Sequence, residues 1–518
     1  MISTPLDFSQ TFVKTSLFIG LLLITSNILA QKSYYVGLNG NDSNNGMSLN
    51  SPFRTITKAV SVVAGGDTVF VRGGTYEYTT TIKFSQSGDA NHLISLKVYP
   101  GDQRPVLDFS GMAVNSTNRG VSLTGSYWYI KGIRIKGAGD NGMNISGGAY
   151  NTIEFCDFYE NRDGGCQLGG GAHDNKIINC DSYWNADYGT GTTTNGGNAD
   201  GFSPKLDVGN GNYFYGCRSY YNSDDGWDGY MKTTADITTT IENCWTWHNG
   251  YLKDGVTTTS EMNGNGFKMG GDYLVHNCVL KNCLSFYNKA KGFDQNHNKG
   301  SMTLYNCTAI ANGGNNFSIS EALDPGKVVT VKNCLSYEKS KVSLLSSAIV
   351  ATNSWDSQFN VTSSDFLSID TTGISGPRKA DGSLPDIRFM HLASGSKLID
   401  AGIDVGLPYI GTKPDLGCFE FPSTNTGISS LLLDDEIKIE NYPNPFHSKT
   451  TIRFYLPEPS DIKVSLFDIN SHRMGIIAKG LYSQGIHELE FHTGLKAGIY
   501  FCNMEVKGEV YSKVFIIR

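Results

Sequence analysis

The segment from Asn198 to Lys268 concentrates side chains that could bind a metal or accept a proton. It contains N-A-D-G-F, S-D-D-G-W-D and G-N-G-F-K, each of which ties a carboxylate or an amine to a Gly–aromatic step. Converging carboxylates would suit Ca²⁺, which takes about 6–8 oxygen ligands. The spacing is not that of an EF-hand, and turn aspartates of a Gly-rich chain are the plainer alternative. The candidate side chains are Asp200, Asp224, Asp225, Asp228 and Lys268.

Lys268 could be a solvated surface lysine, which is the usual case, or a general base. The ordinary lysine pKa of about 10.4 makes it a poor base at neutral pH. A nearby Ca²⁺ and desolvation would each favour the neutral amine. Flanking aspartates would oppose it unless the metal neutralised them, so a metal site and a lysine base would have a physical reason to occur together.

Composition points to a chain of many strands and turns. The 518 residues include 60 glycines, 15 prolines and 11% aromatics, which does not fit a disordered or collagen-like protein. The chain is too long for one ordinary compact domain unless it is a repeat array. A net charge of −7 argues against bulk nucleic-acid binding, which needs a basic face, but allows an anionic sugar in a local basic cleft.

A repeat accounts for most of the cysteines. I-E-F-C-D-F-Y-E-N and I-I-N-C-D-S-Y-W-N are the first of seven copies, and in six of them Asn follows Cys by five residues, whereas Lys339 replaces it in the seventh. Short β runs repeated in this way predict a β-solenoid whose rungs stack about 4.8 Å apart. The cysteines of the repeat are Cys156, Cys180, Cys217, Cys244, Cys283, Cys307 and Cys334.

We interpret both repeat positions as structural. Free cysteines can form a column of small buried side chains. Asparagines can form a ladder of side-chain amides and tolerate the left-handed backbone of a turn. Disulfides or a metal on the cysteine column are the alternative.

The repeat also assigns a register to the candidate site. A Gly and a bulky residue follow the Asn, as in Gly201-Phe202 and Gly226-Trp227, and Asn316-Phe317 is the last copy. If the bulky residue points inward, its successor points outward, because strand side chains alternate. This predicts Asp228 and Lys268 on adjacent rungs. The outward column is Gln167, Ser203, Asp228, Lys268, Asp294 and Ser318, and the turn column before the glycines is Asp200, Asp225, Asn265 and Lys291.

The flanking segments predict the domain organisation. Lys14, an apolar run from Leu17 to Leu29 and Ala30 are typical of a secretory signal, and the run is too short for a stable membrane span. A helix with Ile56, Ala59 and Val60 on one face would cap the open end of the solenoid. We predict an all-β protein with a signal peptide at 1–30, a parallel β-helix at 31–421, a linker at 422–436 and a small β-sandwich of about seven strands at 437–518.

The motifs N-A-D-G-F, S-D-D-G-W-D and G-N-G-F-K-M-G-G, on a Cys/Asn repeat behind a helical cap, resemble the pectate lyases of polysaccharide lyase family 9 over about residues 33–421. The resemblance implies a right-handed parallel β-helix and calcium-dependent β-elimination of a uronate polymer. Lys268 would take the C5 proton, and departure of the C4 oxygen would leave a 4,5-unsaturated sugar. The implied Ca²⁺ ligands are Asp200, Asp224, Asp225 and Asp228, and position alone suggests Lys205, Lys232 and Lys291 as substrate contacts.

The C-terminal 437–518 segment resembles the sorting domain of the type IX secretion system. The matching features are N-Y-P-N-P-F, T-T-I-R-F-Y-L, L-K-A-G-I-Y and a final strand that ends at Arg518. The resemblance implies passage through the outer membrane, followed by release or surface attachment, and a carbohydrate-binding sandwich is the alternative. We expect a monomer whose partners are an acidic plant polysaccharide and the secretion machinery, without nucleic acid.

Other functions fit parts of the pattern. A rhamnogalacturonan I lyase would share the mechanism, because both polymers carry galacturonate with a leaving group at C4, and the loops 186–198 and 250–263 would read the neighbouring sugar. A family 28 pectin hydrolase could use Asp224 and Asp225 as acid and base, but the chain has no G-H-G motif and no R-I-K motif downstream of them. A non-catalytic sugar-binding solenoid would need no base at Lys268.

Overall fold

A computed structural model of the protein describes residues 31–421, except 190, 192–193, 339–340 and 380, and residues 437–517, except 443, 445, 457, 470–471 and 483–484. The predicted signal peptide, the predicted linker and Lys339 lie outside the described residues. Among the residues described, no helix has the length and apolar content needed to cross a membrane. The chain divides into two compact units, the first containing residues 31–240, 247–276 and 296–298, and the second 241–246, 277–295 and 299–517.

The first unit opens with the predicted helix, α1 (Ile56–Val62). The Thr55 side chain accepts a hydrogen bond from the Lys58 amide at 3.1 Å and caps the first turn. Ile56, Ala59 and Val60 are buried, which confirms the predicted apolar face. The strands of this unit are β1 (Ser33–Val36), β2 (Thr68–Val71), β3 (Thr75–Glu77), β4 (Ile82–Phe84), β5 (Ile94–Val98), β6 (Val106–Asp108), β7 (Val121–Leu123), β8 (Trp128–Lys131), β9 (Arg134–Lys136), β10 (Met143–Ser146), β11 (Thr152–Glu154), β12 (Asp157–Tyr159), β13 (Cys166–Gly169), β14 (Lys176–Ile178), β15 (Asp181–Tyr183), β16 (Phe202–Pro204), β17 (Asn212–Tyr215), β18 (Arg218–Tyr220) and β19 (Trp227–Asp228), then β20 (Thr238–Glu242) and β21 (Trp245–Trp247), which contain unit boundaries, and β22 (Phe267–Lys268).

Each coil of the first unit adds one short strand to each of three parallel sheets. Their orders are β1-β2-β5-β8-β11-β14-β17, β3-β6-β9-β12-β15-β18 and β4-β7-β10-β13-β16-β19-β22. Neighbouring strands pair in parallel register, so that Asp157 faces Asp181 and Gln167 faces Ser203. Equivalent residues of successive coils therefore lie directly above one another, and the predicted parallel β-helix is confirmed.

The second unit contains the remaining parallel strands and an antiparallel C-terminal part. The parallel orders are β23-β26-β29-β32, β24-β27-β30 and β25-β28-β31, and the antiparallel orders are β33-β34-β37 and β36-β35-β38-β39. Ile452, Val464 and Met504 share the core of the antiparallel part, as a sandwich requires. The elements of the second unit are β23 (Asn277–Lys281), β24 (Leu284–Phe286), β25 (Phe293–Asp294), β26 (Met302–Tyr305), β27 (Thr308–Ile310), β28 (Phe317–Ile319), β29 (Val329–Lys332), β30 (Leu335–Tyr337), β31 (Val342–Leu344), β32 (Ile349–Ala351), a 3₁₀ turn (Ser363–Asp365), β33 (Lys438–Tyr442), β34 (Lys449–Leu456), β35 (Ser460–Phe467), β36 (Arg473–Tyr482), β37 (Gly485–His492), β38 (Gly498–Val506) and β39 (Glu509–Ile517).

The cysteine column is structural, as predicted. All eleven cysteines are free thiols. Cys156, Cys180 and Cys217 are fully buried, and burial raises the pKa of the Cys180 thiol well above its usual range. The Cys180 thiol donates to the carbonyl of Ile178 at 3.3 Å, so that its polar hydrogen is satisfied within the coil.

The predicted asparagine ladder is present in the first unit. The Nδ2 atom of Asn161 donates to Oδ1 of Asn185 at 2.8 Å, and Asn185 donates in the same way to Asn222 at 2.8 Å. The expectation of a left-handed backbone at these asparagines is wrong: the left-handed residue is the one before, as at Trp184 with φ 59°. Another ladder, of Asn151, Asn175 and Asn212, had not been predicted.

Candidate active site

The candidate residues lie on three successive coils of the sheet that ends with β22. Phe202, Trp227 and Phe267 point into the core, and the Trp227 ring centroid lies 4.9 and 4.8 Å from those of its two neighbours. Because strand side chains alternate, the next residue faces outward. Asp228 and Lys268 are direct partners in the β19–β22 pairing, which confirms their predicted adjacency.

The turns before these strands bring the other carboxylates to the same edge. The Gly201 amide donates to the Asp225 carbonyl at 2.9 Å, and the Gly226 amide donates to the Asn265 carbonyl at 2.8 Å, so the predicted turn column is regular here. Asp200, Asp224 and Asp225 each offer one oxygen, and these three atoms lie within 4.8 Å of one another. The structure therefore brings three of the four predicted metal ligands within coordinating distance of a common point.

Asp228, the fourth predicted ligand, is held by two lysines. Its Oδ2 atom lies 3.2 Å from Lys205 Nζ and its Oδ1 atom 3.3 Å from Lys268 Nζ. Lys205 also contacts Asp200 Oδ2 at 2.7 Å, and Lys268 contacts Asp225 Oδ2 at 3.0 Å. Four buried carboxylates and two ammonium groups leave two negative charges unbalanced.

The electrostatics of this cluster fit a divalent cation. Burial and the carboxylates of Asp228 and Asp225 raise the pKa of Asp200 to about 7, against the effect of Lys205. Burial and Asp225 also raise the pKa of Asp224 well above its usual range. Asp225 Oδ2 is buried and accepts no hydrogen bond of good geometry. Calcium would supply the missing charge to an all-oxygen donor set of this kind.

Lys268 experiences two opposed effects. Burial favours the neutral amine, but the carboxylates of Asp225 and Asp228 outweigh it and raise the pKa of Lys268 well above its usual range. Without a further positive charge, Lys268 is therefore an ammonium ion. A role as a base depends on the same neutralisation that the carboxylates need.

The three lysines predicted as substrate contacts lie in different surroundings. Lys205 is enclosed between Asp200 and Asp228, with 11% of its side chain exposed. Lys232 is exposed in the first unit. Lys291 belongs to the second unit and pairs with Asp294 at 3.0 Å. Their role as substrate contacts stays a prediction.

Supporting residues of the site had not been assigned from the sequence. The Asn263 amide donates to Asp224 Oδ1 at 2.9 Å, and the Asn265 amide donates to Asp225 Oδ1 at 2.7 Å. Ser203 Oγ donates to Asp200 Oδ2 at 2.9 Å. The N-G-N-G run before Phe267 was the available signal, because it places two amides at the level of the aspartate pair.

The two loops expected to read the neighbouring sugar meet beside this cluster. Thr259 Oγ1 donates to the Asn195 carbonyl at 2.8 Å. A cavity of about 570 Å³ lies between the loops, and Asn263, which binds Asp224, is part of its wall. The cavity is lined by Thr194, Asn195, Gly197, Ser260, Glu261 and Asn263.

Known proteins share both parts of this architecture. Residues 34–340 match the model of the Pel9A-like right-handed β-helix region, and residues 440–518 match that of the secretion system C-terminal sorting domain. Pectate lyase L of Dickeya dadantii is 38% identical over 408 residues, 77% of this chain and 92% of the relative. Pectate lyase L of Paenibacillus polymyxa is 41% identical, over 74% of this chain and 86% of the relative. Among solved structures, pectate lyase Pel9A has a TM-score of 0.68 at 36% identity and covers 76% of this chain and 98% of its own. A rhamnogalacturonan lyase has a TM-score of 0.62 at 29% identity, over 70% and 97%.

Proposed function

Since this chain belongs to the Pel9A-like family of right-handed β-helices and is a polysaccharide lyase, we propose that it is a secreted, calcium-dependent pectate lyase with Lys268 as the base. The observation that carries the proposal is the pairing of Lys268 with Asp228 beside three further buried carboxylates. The names of the pectate lyase relatives support galacturonate polymers as the substrate class.

The proposed ligands are Asp200, Asp224, Asp225 and Asp228. Calcium bound there would polarise a substrate carboxylate and make the neighbouring C5 proton more acidic. Asn263 and Asn265 hold the Asp224 and Asp225 carboxylates in place through their backbone amides. The calcium ligands of this chain thus also set the charge around the base.

Lys268 would perform the proton transfer. It lies at the end of β22 with 12% of its side chain exposed, so it is shielded from bulk water but open on one side. Once the charge of Asp225 and Asp228 is neutralised, burial favours the free amine, which can take the C5 proton. The C4–oxygen bond then breaks, and the product carries a 4,5 double bond.

The proposed destination of the protein rests on its C-terminal match and on the predicted signal peptide. Residues 440–518 match a secretion sorting domain, which supports export through the outer membrane. We keep the signal peptide at 1–30, the catalytic domain at 31–421, the linker at 422–436 and the sorting domain at 437–518 as the proposed organisation. Release and surface attachment are both compatible with it.

Ultraviolet absorbance of polygalacturonate incubated with the protein tests the proposal. A rise that needs calcium and stops with chelator is expected, because only elimination makes a conjugated product. New reducing ends without absorbance would contradict elimination and support a hydrolase, and no cleavage would support a binding solenoid.

Rhamnogalacturonan I is the second candidate substrate, because one solved neighbour at 29% identity is a rhamnogalacturonan lyase. The same assay with that polymer separates the two. A rise in absorbance with rhamnogalacturonan I alone would keep the mechanism and replace the substrate.

A further inference from the structure

The first unit has another cavity, formed by coils that precede the candidate active site. Its volume is about 380 Å³, within the range of about 300–1,000 Å³ that is usual for small-molecule sites. Its lining combines the apolar residues Met112 and Val114, the aromatic Trp184, and two charged residues, Glu160 and Arg162. Such a mixture of apolar surface and a few polar groups is typical of sites that bind a small polar ligand.

The register of the coils places this cavity relative to the carboxylate cluster. The Gly165 amide donates to the Asp200 carbonyl at 2.9 Å, so the coil of Arg162 stacks directly on the coil of Asp200. Lys268 lies two coils beyond Asp200. At about 4.8 Å per rung, Arg162 therefore precedes Lys268 by about 14 Å along the stack. A polymer bound at Lys268 reaches the cavity only through further sugars on that side.

Arg162 supplies the cavity with an exposed cation. Its Nη1 atom donates to the Tyr188 carbonyl at 3.0 Å, which holds the guanidinium against the loop 186–198. Among the described residues, Arg162 has no carboxylate partner within 4.0 Å. A guanidinium has five N–H donors in a planar fork and can bind a carboxylate through two of them. Arg162 therefore keeps donors for an anionic ligand.

The charged residues that line the cavity and their ion-pair partners carry one net positive charge. Lys253 Nζ lies 2.5 Å from Glu160 Oε1. Lys136 Nζ lies 3.9 Å from Glu160 Oε2 and 3.4 Å from Asp108 Oδ2. The two lysines balance the two carboxylates, and the charge of Arg162 remains uncompensated. An anion is therefore favoured at this place, although the net charge of the whole chain is −7.

Trp184 supplies an aromatic surface that its neighbours hold in place. Its ring centroid lies 4.0 Å from Lys253 Nζ and 4.8 Å from the ring centroid of Tyr183, at an interplanar angle of 85°. Lys253 belongs to the loop 250–263, so this loop reaches the edge of the cavity. An aromatic ring offers a large apolar surface, and a sugar ring can pack its C–H groups against it.

We propose that this cavity is a subsite for an acidic sugar of the polymer, on the N-terminal side of the candidate active site. Arg162 pairs with the sugar carboxylate, and Trp184 packs against the apolar face of the sugar ring. The inference rests on the proposed function and adds a direction to it, because the bound polymer then runs from Lys268 toward the N-terminal coils.

The test measures cleavage rates with oligogalacturonates of increasing length and with polygalacturonate. Arg162→Gln is expected to raise KM for the long substrates about tenfold with little change in kcat, because the lost ion pair is remote from the reacting atoms. The shortest oligomer that is cleaved should show no difference, because it does not reach the cavity. Arg162→Lys, which keeps the charge without the planar fork, should lie between the two. Arg54→Gln, which changes an exposed arginine elsewhere, is the matched control.

Trp184→Ala should reproduce the length-dependent loss. Equal losses at every length would show a structural role, and no loss at any length would show that the polymer does not enter the cavity; either result overturns the subsite. If Trp184→Ala is too unstable to assay, the Arg162 variants decide the test, because substitutions of an exposed side chain seldom prevent folding. If the wild type cleaves rhamnogalacturonan I alone, oligomers of that polymer replace the series. Failure of the proposed function would look different, because wild-type protein would then give no absorbance with either polymer at any length.

Discussion

Two turns of the same coils use stacking in opposite ways. In one turn, Asn185 receives a hydrogen bond from Asn161 above and donates one to Asn222 below. In the other turn, Asp200 and Asp225 occupy successive coils, and burial, together with the like charges of Asp228 and Asp225, raises the pKa of Asp200. An amide has both a donor and an acceptor and can pair with its own copy, whereas two carboxylates cannot unless a cation lies between them. The asparagine turn therefore stabilises the stack of coils, whereas the aspartate turn contains a charge repulsion that a bound cation would relieve.

Removing the proposed base should have the largest effect. Lys268→Ala is expected to lower kcat/KM by about 10²–10⁴-fold, because it deletes the proton acceptor. Lys176→Ala, an exposed lysine on β14, serves as the control and should keep wild-type rates. If Lys268→Ala folds and retains most of its turnover, the base is another group.

Placing a charge in the turn of the asparagine ladder should cause the largest loss of stability. Asn185→Asp removes the donor to Asn222 and buries a carboxylate without a cation. We expect the free energy of unfolding to fall by about 3–5 kcal/mol, measured by denaturant titration at neutral pH. Asn185→Ser, which keeps a donor and an acceptor, should fall less. Equal stability of the Asp variant and the wild type would mean that the ladder is not a major source of stability.

Replacing an aspartate by asparagine in the turn that holds Asp200 and Asp225 should raise stability but weaken calcium binding. Asp224→Asn keeps the oxygen that accepts from Asn263 and removes one of the crowded charges. With chelator, the free energy of unfolding of this variant should be about 1 kcal/mol higher than that of the wild type, because the repulsion between like charges is relieved. Calcium affinity, measured by calorimetry, should fall at least about tenfold, because the site loses a charged ligand. Unchanged calcium affinity would remove Asp224 from the ligand set.

The smallest expected effect is on the pH dependence of stability. The pKa of Asp200 is raised to about 7, above the unfolded value of about 4, so the folded protein binds a proton more tightly. With chelator, stability should therefore be greatest at low pH within this window and fall as pH rises from about 4 to 7. With calcium this fall should be reduced, because the ion favours the ionised carboxylates. Melting temperatures across that window, with and without calcium, measure the difference.

The register was predictable because parallel coils repeat one geometry. The Cys-to-Asn spacing and the Gly–aromatic step were enough to place Asp228 against Lys268, since a residue's place in the repeat fixes the direction of its side chain. The enclosure of Lys205 was not predictable, because it depends on how a long side chain folds back between Asp200 and Asp228.

The inserted loops around residues 186–198 and 250–263 leave the coils and return to the same register. Insertions at such points change neither the strands nor the ladders, because each rung pairs only with its neighbours. If these loops read the neighbouring sugar, as expected from the sequence, substrate choice can change with loop length and sequence while Asp228 and Lys268 keep their pairing. In this architecture the part that would select a substrate can vary without moving the part that would act on it.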